Sequence, residues 1–194
     1  MPWYIEASTE PTALEQQIAI GLRANSVQFY DEINKKRGLQ WEASREITAT
    51  SGTKYYSILK AGTEFPVDLK SRVLGATGAG LIARVYSISS SDYTGGVEDS
   101  VYNMRPSMGV TLGAELLTGF TLVTPVASLQ KVGADIFLRA NTQGNQGGFS
   151  PSEFGSNRII DVGLQRLLEI ESLGSQTITA RLEFYEGPLD YPIP

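Results

Sequence analysis

A chain of 194 residues that is 41% hydrophobic and 19% charged carries enough apolar material for one folded domain, or a domain with an extension, and is too apolar to stay disordered. Its net charge of -5 and pI near 4.8 argue against nucleic acid as a partner, because phosphate neutralisation needs clustered Lys and Arg. With no His and no Cys, His- or Cys-based triads, zinc centres and disulfides are excluded, and stability must come from packing or association.

The opening MPWYIEASTEPT places Glu6 and Glu10 where a secretory signal needs basic and then continuously apolar residues. No later stretch reaches a bilayer-spanning length. The expectation is a chain made in the cytoplasm with no membrane partner. From Pro11, the residues Leu14, Ile18 and Leu22 recur four apart with Glu15, Gln16 and Gln17 between them, the stripe of an amphipathic helix. A second helical set, Val27, Phe29, Tyr30 and Ile33, runs into Lys35-Lys36-Arg37, and Gly38 is suited to stop it because glycine takes the left-handed conformation cheaply. The three cations read as a solvated helix end. Residues 1–45 are therefore expected to form a helical N-terminal arm.

Beyond Trp41 the pattern turns to period two with frequent turn residues, which predicts antiparallel β structure over residues 46–194. Strands are expected in Glu46–Thr50, Tyr55–Lys60, Val67–Leu74, Leu81–Ile88, Phe120–Val123, Asp135–Ala140, Leu167–Ser172 and Thr177–Tyr185. Eight strands suit a jelly-roll-like β-sandwich. Alternation assigns Val67, Leu69 and Val73 to one face, with Asp68, Lys70 and Arg72 on the other. It likewise sets Ile178, Ala180, Leu182 and Phe184 against Thr179, Arg181, Glu183 and Tyr185. Met104–Leu117 reads equally as a strand pair or a long connection. Asn141–Asn157, rich in Gly, Asn, Gln and Ser with Phe149 and Phe154 as its large apolar residues, reads as an exposed loop.

Short motifs that suggest chemistry have plainer readings. Ser57-Ile58-Leu59-Lys60 has the Ser-x-x-Lys spacing by which a lysine activates a serine, but it falls in a predicted strand and lacks partner motifs. Gly75–Gly80, reading GATGAG, matches neither the dinucleotide nor the Walker spacing and is expected to be a hairpin connection. Ser89–Gly96, followed by Glu98 and Asp99, lacks calcium-loop spacing and reads as a turn. No metal ion or cofactor is expected, and no carboxylate pair is nominated by position alone. The aromatics Trp3, Tyr4, Tyr93, Tyr102 and Tyr191 are candidate anchors for a protein surface.

KYYSILKAG, VDLKSRVLGATGAGLIARVYS with SDYTGG after it, and LLEIESLGSQTITARLEFYEG resemble small virion structural proteins of tailed bacteriophages, of the decoration or accessory type. The resemblance runs from about Lys54 to Gly187 and rests on short phrases, chiefly Tyr55–Ile58 and Leu182–Glu186; the first forty residues fit it less well. It implies a non-enzymatic protein of the virion, a capsid decoration or cement protein whose partners are the major capsid protein or other virion proteins. It also implies a homo-oligomer, for which three-fold capsid positions suggest a trimer. The alternative it leaves is a tail- or fibre-associated adhesin. The residues expected to meet partners are Trp3, Tyr4, Leu14, Ile18, Leu22, Tyr93, Phe149 and Phe154.

Overall fold

The computed structural model describes residues 35–138 and 159–187. Within them eleven strands form two antiparallel sheets: β1 (Gln40–Ala49), β2 (Lys54–Lys60), β3 (Val67–Ala76), β4 (Leu81–Ile88), β5 (Tyr93–Glu98), β6 (Tyr102–Asn103), β7 (Glu115–Leu122), β8 (Ile136–Leu138), β9 (Ile159–Ile160), β10 (Gln165–Ser172) and β11 (Gln176–Glu186). The first sheet has the order β6-β1-β11-β3-β9 and the second β5-β7-β2-β10-β4-β8.

Setting β5, β6 and β7 aside, the pairing is nested. β1 pairs with β11, β2 with β10, β3 with β9 and β4 with β8. This is the path of one long two-stranded ribbon passed back and forth between the layers, so successive strands from β1 to β4 alternate between sheets. The connection Thr77–Gly80 therefore crosses from one sheet to the other and is not the hairpin expected from its glycines. β5 and β7 extend the second sheet beyond β2, and β6 extends the first beyond β1.

Strands β2, β3, β4, β10 and β11 lie within two residues of their expected bounds. β1 does not: it starts at Gln40, so residues 40–45, assigned above to the arm, are paired in register with β11, Gln40 opposite Tyr185 and Arg45 opposite Ala180. Trp41, Ala43, Ile47 and Ala49 are buried along one face, and the exposed Arg45 in the middle hid that alternation. Residues 35–37 are helical and end at Gly38, whose φ of 73° is the left-handed turn anticipated there. The stripe Leu14, Ile18 and Leu22 lies outside the described residues. Met104–Leu117 resolves as a 3-10 turn at Pro106–Met108, an irregular connection and the start of β7.

The layers meet through two apolar clusters. One joins Ile47, Leu74 and Ile178 to Leu81, Ala83 and Ile170; the other joins Trp41, Val67 and Phe184 to Leu59. Between them the alternation of β3 breaks. Glu183 faces Ser71 and Phe184 faces Leu69, which leaves Lys70 as the extra residue of a bulge. The bulge reverses the faces of the residues that follow it: Val73, expected inside, is 38% exposed, and Arg72, expected outside, is 6% exposed. Leu69 and Val67 keep their inward places.

Candidate functional site

Of the residues expected to meet partners, Trp3, Tyr4, Leu14, Ile18, Leu22, Phe149 and Phe154 lie outside the described residues, as does Tyr191. Tyr93 is half-buried: its ring meets Phe120 edge-on at 5.5 Å and its hydroxyl donates to Gln165 Oε1 at 3.0 Å. Both ends of the side chain are engaged within the fold. Tyr102, on β6, is 61% exposed.

Ser57 and Lys60, three apart on β2, fall on opposite faces of the strand; Ser57 lines the space between the sheets while Lys60 pairs with Glu115 at 3.1 Å. No serine activation follows from that arrangement. The glycine-rich crossover is occupied by the protein itself. Gln176 Oε1 accepts from the backbone N–H of Gly78 at 3.0 Å and Gly80 at 3.2 Å, and Gln176 Nε2 donates to Ser172 Oγ at 2.8 Å. The amides that would cradle a phosphate thus hold a neutral side chain. In Ser89–Asp92, the Asp92 carboxylate accepts from Ser89 Oγ at 2.5 Å, Thr124 Oγ1 at 2.6 Å and Ser89 N at 2.8 Å; these hydrogen bonds hold its pKa below the ordinary carboxylate value. The turn is closed by its own aspartate, and the residues from Tyr93 onward are strand. Among the described residues no group of acidic side chains is placed to hold a metal ion.

Two surfaces stand out. At one end of the layers, the segment after β2 runs beside the segment between β9 and β10. Ala61 N donates to Leu164 O and Gly163 N to Gly62 O, each at 3.0 Å. With Ile159 on β9, the two segments present Phe65, Val162 and Leu164, all four between 38% and 45% exposed. Single exposed apolar residues are ordinary, whereas several on adjoining segments are the kind of surface that a partner can cover. Nothing in the sequence pattern singled them out, because three sit in connections and Ile159 lies on a strand of two residues, too short to carry a period. Glu186 pins this end: its carboxylate accepts Gly113 N–H at 2.7 Å, and burial raises its pKa above the usual value despite those donors.

The second is a cavity of about 60 Å³ between the layers, room for a few waters. Its walls include Ile47, Leu59, Leu74, Leu116, Leu168 and Ile170, and it is bordered by Arg45, Arg72 and Arg166. Burial lowers the Arg72 guanidinium to about 10 from 12.5, which leaves it cationic at neutral pH. Arg166 Nη1 donates to Ser87 Oγ at 3.3 Å and to Gln165 O at 3.1 Å. Sequence alternation missed Arg72 because of the bulge. Arg166 carried a visible signal, a cation in phase with Leu168 and Ile170.

On the far side of the second sheet, Glu169 is fully buried. Arg84 Nη1 lies 2.7 Å from its Oε1 and Lys54 Nζ 3.3 Å from its Oε2. Arg84 also reaches Glu171 at 2.7 Å and Asp135 at 3.3 Å. Desolvation, then the Glu169 charge, pushes the Tyr56 hydroxyl up to about 12. Every charge of this network is answered by another, which is the pattern of a structural ion cluster. No protein-family model matches the chain, and no curated protein matches it.

Proposed function

We propose that the chain is a non-enzymatic structural protein of a tailed-bacteriophage particle: a capsid decoration protein, built as a jelly roll with a helical N-terminal extension, that stabilises the shell by binding neighbouring capsomers. The nested pairing of β1 with β11 through β4 with β8 supports the jelly roll, since that fold is a two-stranded ribbon wound into two layers. The phage reading rests on the resemblance of the three quoted stretches. The observation that carries a docking role is the apolar end formed by Phe65, Ile159, Val162 and Leu164. A partner that binds only the assembled lattice stabilises it by mass action.

The major capsid protein is the partner in this reading, and a trimer at three-fold positions its stoichiometric form. The adhesin alternative draws on Tyr93, whose ring and hydroxyl are engaged within the fold, and on Phe149 and the loops around them, where Phe149 lies outside the described residues. Quantitative mass spectrometry of purified particles tests the proposal. Many copies per particle, and particles that lose heat resistance when the chain is omitted, are expected. Absence from the particle, or a handful of copies with an unaltered shell, would overturn it.

A further inference from the structure

We propose that the partner docking at the apolar end is an acidic protein segment, gripped by a cationic corner beside that end, a proposal that rests on the docking reading of the apolar residues. The row Leu39, Glu186, Val67 and Ile160 crosses the first sheet here. On its β9 side lie the exposed apolar residues Phe65, Ile159, Val162 and Leu164. On its β6 side, four strand spacings or about 20 Å away, lie Lys35, Lys36 and Arg105, all exposed. One protein partner spans both corners, since a standard interface covers about 800 Å² on each side.

Two segments build the cationic corner, and the fold ties them together. Asn103 Nδ2 donates to Gly38 O at 2.7 Å, and Arg105 Nη1 donates to Lys36 O. Tyr102 and Met108 flank the cations, 61% and 46% exposed, and Tyr, Met and Arg are residue types that binding surfaces enrich. Elsewhere Lys54, Lys60, Lys70, Arg84, Lys131 and Arg181 each form an ion pair within the fold. Lys35, Lys36 and Arg105 pair with no carboxylate among the described residues. Arg37, next in sequence, has an interaction of its own, and the corner does not depend on it. In a chain of net charge -5, three cations left together without an internal carboxylate suit an external one. The apolar corner instead carries Glu64 and Asp161, both exposed. That asymmetry orients the partner, its carboxylates over β6 and β1 and its apolar side chains over β9. A nucleic acid would carry its phosphates past the cations onto a negatively charged chain.

The full chain is titrated with a dodecapeptide of alternating glutamate and leucine, at about 50 mM and about 300 mM salt. The same peptide with glutamine in place of glutamate, and dodecathymidylate, serve as comparisons. The acidic peptide is expected to bind about tenfold or more tightly than the glutamine peptide at the lower salt. Most of that advantage is expected to vanish at the higher salt, and the oligonucleotide is expected to bind more weakly than the acidic peptide. Reversing two exposed charges together, Lys35→Glu with Lys36→Glu, is expected to weaken the acidic peptide about tenfold or more and to leave the glutamine peptide unchanged. Phe65→Ser weakens both peptides alike. Arg45→Gln, which removes an exposed cation from the middle of β1, changes neither, and unchanged thermal midpoints show that each variant is folded. No binding of the acidic peptide, equal affinity for the glutamate and glutamine peptides, indifference to the double charge reversal, or tighter binding of the oligonucleotide would overturn the proposal. The titration contains no particle component, so a chain missing from purified particles would defeat the capsid reading without altering this result.

Discussion

The two faces of the six-stranded sheet are built differently. The inner face meets the other sheet through apolar clusters separated by guanidiniums and a cavity. The outer face, which an antiparallel sheet commonly leaves to water, instead buries Ile58, Tyr86, Ile88 and Leu167 beneath Phe120, Leu122, Val126 and Leu129. Those covering residues come from β7 and the segment after it, part of the stretch inserted between β4 and β8. A second small core on the outside lets the middle of the protein tolerate polar groups, because the sheet no longer depends on one interior for its burial.

The sharpest test of that comparison is to truncate one core residue on each face. Leu167→Ala, outside, and Leu74→Ala, between the layers, are each expected to cost about 2–5 kcal/mol in denaturant unfolding, since both side chains are buried. An outer truncation costing under about 0.5 kcal/mol would show that the covering segment is not a core. Next in size is Glu169→Gln, which removes the fully buried charge facing Arg84 and Lys54. A loss of about 2 kcal/mol is expected, moderated because Arg84 retains Glu171 and Asp135.

A smaller effect separates the pinned end from the rest. Burial raises the Glu186 carboxyl above its ordinary value, so the native state holds that proton to a higher pH than the unfolded chain does. As pH rises through the unfolded carboxylate value toward the native one, the native state binds more protons and Glu186's contribution to stability falls. Glu186→Gln is expected to flatten this decline in unfolding midpoints measured between about pH 4 and pH 7. The smallest expected effect is at Val73. Alternation places it in the core, whereas the bulge leaves it exposed, so Val73→Thr should change stability by under about 0.5 kcal/mol; a loss above about 1 kcal/mol would restore the unbulged register.

The strands whose inner and outer faces meet different surroundings were legible in sequence. Ile178 is buried beside an exposed Thr179 as that pattern requires, whereas at the end of β11 Tyr185, set on the opposite face, is buried along with Phe184. β10 was legible as a strand but not in its faces: with both sides covered, Leu167 and Ile170 are buried together with Gln165 and Glu169, and polarity no longer reports direction. β6 and β9, two residues each, are too short to carry a period. The bulge at Lys70 has no sequence mark, because it arises from pairing with β11 and not from a local glycine. At the candidate cavity only Arg166 could be suspected in advance; the convergence of Arg45 and Arg72 upon it depends on how the sheets are stacked.

One consequence of the nested pairing is mechanical. Because Gln40 lies opposite Tyr185 and Ala49 opposite Gln176, the two ends of the described fold leave side by side from adjacent antiparallel strands. Tension applied to those ends loads the β1·β11 hydrogen bonds one rung at a time, an unzipping geometry that yields more readily than shear. The seam between first and last strand would therefore part before the β2·β10 and β4·β8 ladders feel the pull.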